Sequence, residues 1–505
     1  MIFSLRPGQL TFANFRELID KNTSLILDDE CHAKIKAAQQ VIHRVVAENK
    51  TVYGVNTGFG ALASTGISSN ELASLQRKLI LSHAAGTGEL LDDDIVRLIL
   101  ALKINSLARG YSGVSLETID ALLRLYNKKI YPCIPAQGSV GASGDLAPLA
   151  HLSALLLGFG EARHEGQIIS AELALAKAEL NPLQLGPKEG LALLNGTQVS
   201  TALAIDAWLK TETLFTNAII TGALSVDAMR ASHIPFDARI QAIRGQEGQI
   251  IAAKIFCHLL ARSEIPASHH DCNKVQDPYS LRCQPQVMGA CLSHLLFTQS
   301  IFLNEANGVS DNPLIFAEQN EILSGGNFHA EPIALAADTL ALAIAEIAAL
   351  SERRIALMMD PHFSGLPAFL VKEAGINSGF MMAQVTAAAL ASENKSLAHP
   401  ASVDSIPTSM NQEDHVSMAT YAARRLLSMT ENAAAIIGIE LLAACQALDF
   451  LRPLKTSVLL EEVHRLVRAQ ISFYESDRYF APDIARAKAL VQSGALARCC
   501  QLDLI

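Results

Sequence analysis

Apolar and polar residues follow a helical period along most of the chain. Apolar side chains recur at spacings of three and four, whereas the alternation typical of half-buried strands is rare. Several windows exceed the usual helix length of about 11–12 residues, and Asp360-Pro361 supplies a clear stop signal after one of them. We therefore predict helices over Ser69–His83, Asp92–Leu107, Val199–Leu224, Gln286–Asn304, Pro332–Met359, Ser378–Ala391 and Met418–Ala447.

The predicted fold class is mainly α, a long-helix bundle with an N-terminal lobe and few short strands. Alanine and leucine are abundant, and small side chains let helix axes approach closely. Strand-like segments are limited to 50–55, 129–132 and 312–316. We place the N-terminal lobe over residues 1–200. The central bundle and the C-terminal helices follow over residues 201–505, in one continuous structural unit with an approximate boundary.

The composition of the chain bears on its binding partners and its cellular location. Of the 505 residues, 50% are hydrophobic and 18% are charged, and the net charge of −10 argues against a nucleic-acid partner. The N-terminal segment has no basic region followed by an apolar core, so we expect no signal peptide. Asp338 and Glu346 interrupt the longest alanine-rich run, so we expect no membrane span. Nine cysteines give no disulfide framework and suit a reduced, cytoplasmic location.

Two short patterns are weak signals for a metal or a cofactor. His269-His270-x-Cys272 lacks a second ligand pair at a zinc spacing, so we predict no metal. Gly58-x-Gly60-x-x-Ala63 resembles a dinucleotide loop, but the next helix signal begins only near Ser69. A nicotinamide-dependent oxidoreductase therefore remains a remote alternative that would require NAD binding.

The tripeptide Ala142-Ser143-Gly144, between Gly141 and Asp145, carries unusual chemistry. The Gly144 amide nitrogen can attack the Ala142 carbonyl carbon, because glycine has no Cβ to block a tight turn. Loss of water closes a five-membered ring, and loss of a second water from Ser143 leaves an exocyclic methylene. The product, 4-methylideneimidazol-5-one (MIO), is an electrophile that no ordinary side chain supplies. We predict that the N-terminal lobe carries this loop and that no external cofactor is needed.

Other readings of this stretch are a glycine-rich surface turn, a hydrolase nucleophile and a phosphate loop. The surface turn would be the natural choice if the stretch stood alone. A nucleophile elbow needs G-x-S-x-G, and neither Ser139 nor Ser143 has glycine on both sides at that spacing. A phosphate loop needs Gly-Lys-Ser/Thr, which occurs nowhere in the chain.

The chain resembles the MIO-bearing aromatic amino acid ammonia-lyases along essentially its whole length. Within that family it is most similar to the branch that acts on histidine. The resemblance implies a nearly all-α homotetramer whose active sites are shared between subunits. It rests on the Ala142-Ser143-Gly144 loop and on the motifs at 53–60, 82–86, 194–198, 274–283, 326–331 and 411–415.

The resemblance also assigns roles to residues around the MIO loop. Tyr53 becomes the general base for the β-proton, and it would need nearby positive charge or hydrogen bonds to its phenolate to act near neutral pH. Asn195 would donate to the MIO carbonyl or to the substrate amine and carboxylate, although Asn-Gly is also a common helix C-cap.

Four further residues complete the pocket that the resemblance implies. Arg282 would grip the α-carboxylate with two parallel hydrogen bonds, the geometry for which a guanidinium is suited. Tyr279 would handle a proton or polarise the MIO group, and Gln276 belongs to the same pocket. Phe328 would pack near the ring system, and its simplest alternative role is a core phenylalanine.

Two residues bear on substrate choice. His83 matches the position that faces the substrate side chain, where phenylalanine lyases carry an apolar residue and tyrosine lyases also carry histidine. At the position of Glu413 the tyrosine and phenylalanine lyases have glutamine. A carboxylate can accept a hydrogen bond from an imidazole N–H, and one charged hydrogen bond contributes roughly 1.5–3 kcal/mol. A helix N-cap is the simpler role for Glu413.

The resemblance thus implies non-oxidative deamination of L-histidine to trans-urocanate and ammonia, the first step of histidine degradation. The nearest alternatives are a tyrosine ammonia-lyase and an aromatic 2,3-aminomutase. A more distant alternative is a non-catalytic helical scaffold in which the loop never cyclises. Whether the amine or the ring of the substrate meets the MIO group stays open at this level.

Overall fold

The computed structural model describes residues 1–48, 50–58, 60–62, 65–269 and 275–502. Helices dominate these residues, so the predicted mainly α fold is confirmed. They are α1 Phe12–Ile19, α2 His32–Ala47, α3 Leu72–His83, α4 Asp93–Leu107, α5 Leu116–Asn127, α6 Leu146–Leu156, α7 Ala171–Lys177, α8 Glu189–Leu194, α9 Gln198–Ala228, α10 Ala238–Arg244, α11 Glu247–Leu259, α12 Tyr279–Arg282, α13 Gln284–Asn307, α14 Glu331–Met359, α15 Pro361–Ser364, α16 Met381–Leu397, α17 Ala419–Phe450, α18 Val458–Arg468, α19 Ala481–Gln492 and α20 Ala495–Cys499.

The strands are short and lie in small separate sheets. β1 and β2 pair in parallel, with Ile2 opposite Ser24, and the other sheets are antiparallel. The strand order is β1-β2, β3-β5, β4-β6-β7 and β8-β9. The strands are β1 Ile2–Leu5, β2 Ser24–Leu27, β3 Thr87–Leu90, β4 Tyr131–Pro132, β5 Pro135–Gln137, β6 Glu161–His164, β7 Gln167–Ser170, β8 Leu314–Phe316 and β9 Glu321–Leu323.

The strand predicted over residues 50–55 is wrong, because this segment is a loop and a turn. Asn56 satisfies the backbone there in place of a neighbouring strand. Its Oδ1 accepts from the Val52 N–H at 2.8 Å, and its Nδ2 donates to the Lys50 carbonyl at 2.8 Å. Gly54 has φ +74°, which does not fit an extended strand.

The chain divides into two compact units. Unit 1 comprises residues 1–206, 299–338 and 400–424, and unit 2 comprises residues 207–298, 339–399 and 425–505. In unit 1, α4 is buried from Ile95 to Leu107 and packs against α1 and α5, while α3, α6 and α8 pack against one another. In unit 2, the buried rings of Phe236 and Phe256 stack with centroids 4.9 Å apart. The division predicted near residue 200 stays a prediction.

Three helices, α13, α14 and α17, are long and apolar enough to cross a membrane by length and composition. Asp338 and Glu346 fall within α14, which is nevertheless one of these three helices, so the expectation that they interrupt its apolar run is wrong. In the most apolar stretches of α14 and α17, 67% and 83% of the residues are buried inside the protein.

Candidate active site

The Ala142-Ser143-Gly144 segment forms a tight turn immediately before α6. Gly141 and Gly144 have φ values of +70° and +75°. Gly144 forms isolated bridges with both Ala142 and Gly196, so the turn brings together the two residues that ring closure would join. A Cβ on Gly144 would lie 2.2 Å from the Gly196 carbonyl oxygen. Glycine is therefore required at this position by both conformation and space.

Asp145 fixes the end of this turn. The carboxylate is fully buried, and its Oδ2 accepts from the Val199 and Ser200 N–H groups at 2.9 and 2.8 Å. Its Oδ1 accepts from Thr420 Oγ1 at 2.7 Å. Burial raises the pKa of Asp145, and these hydrogen bonds oppose the rise. The carboxylate ties the turn to the first residues of α9 and α17.

Ser143 faces the carboxylate of Glu413. Its Oγ donates to Glu413 Oε1 at 3.2 Å, and both residues are half-buried. The other carboxylate oxygen accepts from Thr408 Oγ1 and Ser409 Oγ, each at 2.8 Å. Hydroxyl donors thus orient Glu413 so that one of its oxygens points at the serine from which MIO formation would remove water.

The segment before Glu413 is a strained turn next to the Tyr53 loop. Ser409, Met410 and Asn411 have φ values of 50°, 55° and 64°, a left-handed run that non-glycine residues rarely adopt. Residues 409–411 pack against the 60–62 turn. The Gly60 N–H donates to Tyr53 Oη at 3.5 Å, so the proposed base lies in the loop that contacts this strained turn.

Asn195 is held by a buried network. Its Nδ2 donates to the Asn312 carbonyl at 3.0 Å and to Asp311 Oδ1 at 3.3 Å. Its Oδ1 is buried and has no hydrogen-bond partner among the described residues. Because both amide hydrogens are committed, the atom left for a ligand is an acceptor. The geometry thus disfavours the predicted donation from Asn195 and favours acceptance from a donor such as an ammonium.

Two buried lysines support Asn195, and sequence reasoning missed both. Lys188 Nζ lies 2.7 Å from Asp311 Oδ2, and the side chains are 0% and 3% exposed. Lys103 Nζ donates to the Asn195 carbonyl at 2.7 Å. Burial lowers the pKa of both lysines, that of Lys103 to about 7. The sequence does contain a signal for Lys103, because a charged residue within the apolar run of α4 is unusual and suggests a buried partner.

His83 ends α3 and is half-buried. Its Nδ1 lies 2.8 Å from the Leu79 carbonyl oxygen. A carbonyl only accepts, so Nδ1 carries the hydrogen and Nε2 is the acceptor in the neutral ring. Phe328 is half-buried in the segment between β9 and α14 of unit 1.

The remaining predicted residues lie in unit 2. The Arg282 guanidinium lies over the Tyr279 ring, 4.5 Å from its centroid, and its Nε donates to the Asp277 carbonyl at 3.0 Å. Tyr279 is 71% exposed, and Gln276 is also exposed. The structure therefore brings Arg282 and Tyr279 together. His270 and Cys272 of the weak metal pattern lie outside the described residues.

Comparisons with known proteins agree over nearly the full length. A family model described as aromatic amino acid lyase matches residues 10–469. A histidine ammonia-lyase of Legionella pneumophila (strain Corby) is 61% identical over 486 residues, covering 96% of each chain. The crystal structure of histidine ammonia-lyase from Trypanosoma cruzi has a TM-score of 0.92 and 41% identity, covering 99% of this chain and 95% of that one.

A further structure of similar fold belongs to an enzyme with a different activity. The tyrosine aminomutase of Streptomyces globisporus has a TM-score of 0.94 and 33% identity, and both chains are fully covered. The backbones thus match similarly well, whereas sequence identity is higher to the two histidine ammonia-lyases.

Proposed function

Because the chain belongs to the aromatic amino acid lyase family, we propose that it catalyses the non-oxidative deamination of L-histidine to trans-urocanate and ammonia. The observation that carries this proposal is the Glu413 carboxylate 3.2 Å from Ser143 Oγ. A carboxylate there can accept from an imidazole N–H, which a phenyl ring lacks. High identity to histidine ammonia-lyases favours this reaction over tyrosine elimination or a 2,3-amino shift.

The prosthetic group of the proposed reaction is MIO, formed from Ala142-Ser143-Gly144. The residues present fit it: the turn pairs Ala142 with Gly144, and the Gly196 carbonyl leaves no room for a side chain at Gly144. When formed, the group supplies an electrophile that assists departure of ammonia. Ring formation removes two waters, about 36 Da, from the intact chain.

In the proposed reaction, residues of unit 1 bind the substrate ammonium, remove the β-proton and recognise the imidazole ring. Asn195 Oδ1 accepts from the substrate ammonium, since its amide hydrogens are already used by Asp311 and Asn312. Tyr53 takes the β-proton. His83 offers its Nε2 to the imidazole N–H or to a water beside it, and Glu413 accepts from the ring or stabilises positive charge on it. Phe328 packs near the ring system.

Residues of unit 2 bind the other end of the substrate. Arg282 holds the α-carboxylate, because its guanidinium can form two parallel hydrogen bonds. Tyr279 and Gln276 orient the substrate and the prosthetic group. In the proposed homotetramer the active sites are shared, so these residues serve a site together with side chains of other subunits.

The proposed cytoplasmic homotetramer is supported by apolar side chains exposed on two helices of unit 2. Leu342, Met382 and Val385 are 56%, 64% and 46% exposed on α14 and α16, which suits helices that pack against further copies. Arg354 of α14 and Glu440 of α17 form a buried ion pair, with Nη2 2.8 Å from Oε2. Light scattering on the purified chain tests the tetramer.

The experiment that tests the reaction uses L-histidine, L-tyrosine and L-phenylalanine in parallel. Ultraviolet absorbance is followed and ammonia is assayed in each tube. We expect urocanate and ammonia from histidine, with far lower turnover of the other two. Coumarate or cinnamate as the main product would overturn the substrate, and a β-amino acid without ammonia would establish an aminomutase.

A further inference from the structure

A cluster of three side chains in unit 1 includes none of the residues assigned to the elimination. His329 precedes α14, Glu331 is its first residue, and His415 lies before α17. One ligand atom from each lies within 4.8 Å of the others. Glu331 Oε2 is 4.0 Å from His329 Nδ1 and 3.9 Å from His415 Nε2. The two imidazole rings stack with an interplanar angle of 7°.

The hydrogen bonding of His329 fixes which of its nitrogens is free. Its Nε2 lies 3.3 Å from the carbonyl oxygen of His415. That oxygen can only accept, so Nε2 carries the hydrogen and the Nδ1 lone pair of the neutral ring is directed toward Glu331. A metal-binding histidine usually donates its second ring N–H to a carbonyl or carboxylate in this way. The ring is therefore already in the tautomer that a metal requires.

Glu331 supplies the second observation. The side chain is 31% exposed, but its Oε2 is buried and has no hydrogen-bond partner among the described residues. A buried carboxylate oxygen without a donor is costly, and here it faces the lone pair of an imidazole. A cation between these atoms would satisfy both groups.

We propose that His329 Nδ1, Glu331 Oε2 and His415 Nε2 bind a divalent cation of the zinc class. Two imidazole nitrogens and one carboxylate suit Zn²⁺, whereas Mg²⁺ and Ca²⁺ prefer sets of oxygen ligands. Ligand atoms about 2.0–2.2 Å from the ion lie about 3.3–3.6 Å apart in a tetrahedral site. The ligand atoms now lie within 4.8 Å of one another. Because a metal lies in the plane of each imidazole that binds it, the His415 ring would turn out of its stacked arrangement with His329 to bring Nε2 to the ion. His415 is exposed, so a water or an added ligand can occupy the fourth position.

The proposed ion has a structural consequence for the candidate active site. It would join the 329–331 segment to the segment that carries His415, and Glu413 lies two residues earlier in that segment. The ion would thus restrain the Glu413 loop. Binding of the ion does not depend on the elimination reaction, so the two proposals fail independently.

Metal binding to the full-length protein tests the site. The protein is freed of metal with a chelator and titrated with Zn²⁺ by calorimetry, and separately with Co²⁺ by visible absorption. His415→Ala and Glu331→Gln remove one ligand each. His32→Ala removes a half-buried histidine outside the cluster, whose Nδ1 lies 3.7 Å from Asp29 Oδ1, and is the matched control.

We expect one Zn²⁺ per chain in the wild type and in His32→Ala, and affinity at least about tenfold weaker in both site variants. We also expect Zn²⁺ to raise the Tm of the wild type but not of the site variants, and all four metal-free proteins to give the same helical circular dichroism spectrum. Absence of binding to the wild type, or equal affinity in all four proteins, would overturn the site.

Discussion

Ser143 Oγ and Glu413 Oε1, 270 residues apart in the sequence, are 3.2 Å apart in unit 1. The contact places a carboxylate next to the serine whose dehydration would create the electrophile. Thr408 and Ser409 hold the other carboxylate oxygen at 2.8 Å each, so Glu413 is oriented before any substrate arrives. Such preorganisation is what a group that recognises or stabilises charge on a substrate ring requires.

Glu413→Gln tests this carboxylate as the element that selects histidine. We expect kcat/KM for L-histidine to fall about 10- to 100-fold, which corresponds to one charged hydrogen bond of roughly 1.5–3 kcal/mol. Any residual turnover of L-tyrosine should fall much less. Steady-state ultraviolet assays with both substrates measure the two losses, and losses of equal size would remove Glu413 from substrate selection.

Ser143→Ala removes the hydroxyl that leaves as the second water. We expect no turnover, because the exocyclic methylene cannot form. The helical circular dichroism spectrum should be unchanged, since Ser143 is only half-buried and its hydroxyl donates to Glu413 rather than to a helix. Retention of full activity would contradict the assignment of MIO to this loop.

Gly144→Ala tests the space around the turn. Its Cβ would meet the Gly196 carbonyl oxygen at 2.2 Å, so we expect the mass loss of about 36 Da and the activity to disappear together. Gly166→Ala is the matched control, because Gly166 has φ +78° and nothing within 4 Å of an added Cβ.

Intact mass spectrometry of both glycine variants reads the outcome. Gly166→Ala should lose about 1 kcal/mol of stability for its left-handed backbone but keep the mass loss. If Gly144→Ala also kept the mass loss, the tight approach to Gly196 would not be needed for ring closure.

Lys103→Met tests the buried network beneath Asn195 through pH dependence. Burial lowers the Lys103 pKa from 10.5 to about 7. Between about pH 7 and pH 10.5 the unfolded chain binds more protons at Lys103 than the folded chain does. This lysine therefore makes the free energy of unfolding increase with pH in that range. The largest slope from one such group is about 1.4 kcal/mol per pH unit.

The variant should therefore show a shallower increase in the free energy of unfolding across this window than the wild type. Denaturant titrations at successive pH values measure both slopes. Equal slopes would mean that Lys103 has the same pKa in the folded and the unfolded chain.

The long helices could be predicted from the sequence because their apolar residues recur at the spacings of three and four that a helix requires. The window Val199–Leu224 corresponds to α9 Gln198–Ala228, and Met418–Ala447 corresponds to α17 Ala419–Phe450. The strand expected at 50–55 failed for a local reason. The Asn56 side chain forms the backbone hydrogen bonds that a neighbouring strand would otherwise form. The β-branched residues that suggest a strand do not reveal this side-chain hydrogen bonding.

Family membership was also predictable, because long motifs carry it and the comparisons confirm it. The buried hydrogen-bond network around Asn195 could not be predicted from the sequence. Lys103, Lys188 and Asp311 are far apart in sequence, and their meeting at Asn195 depends on how α4, α8 and the 311–312 segment pack. The same holds for His329 and His415, whose rings come together only after folding.

The central claim is that this chain eliminates ammonia from L-histidine. The most direct measurement follows urocanate by ultraviolet absorbance and assays ammonia in the same tube, with purified protein and L-histidine alone. We predict that both products appear in equal amounts and that neither appears with Ser143→Ala. Absence of urocanate from the wild-type protein, or equal production by the variant, would contradict it.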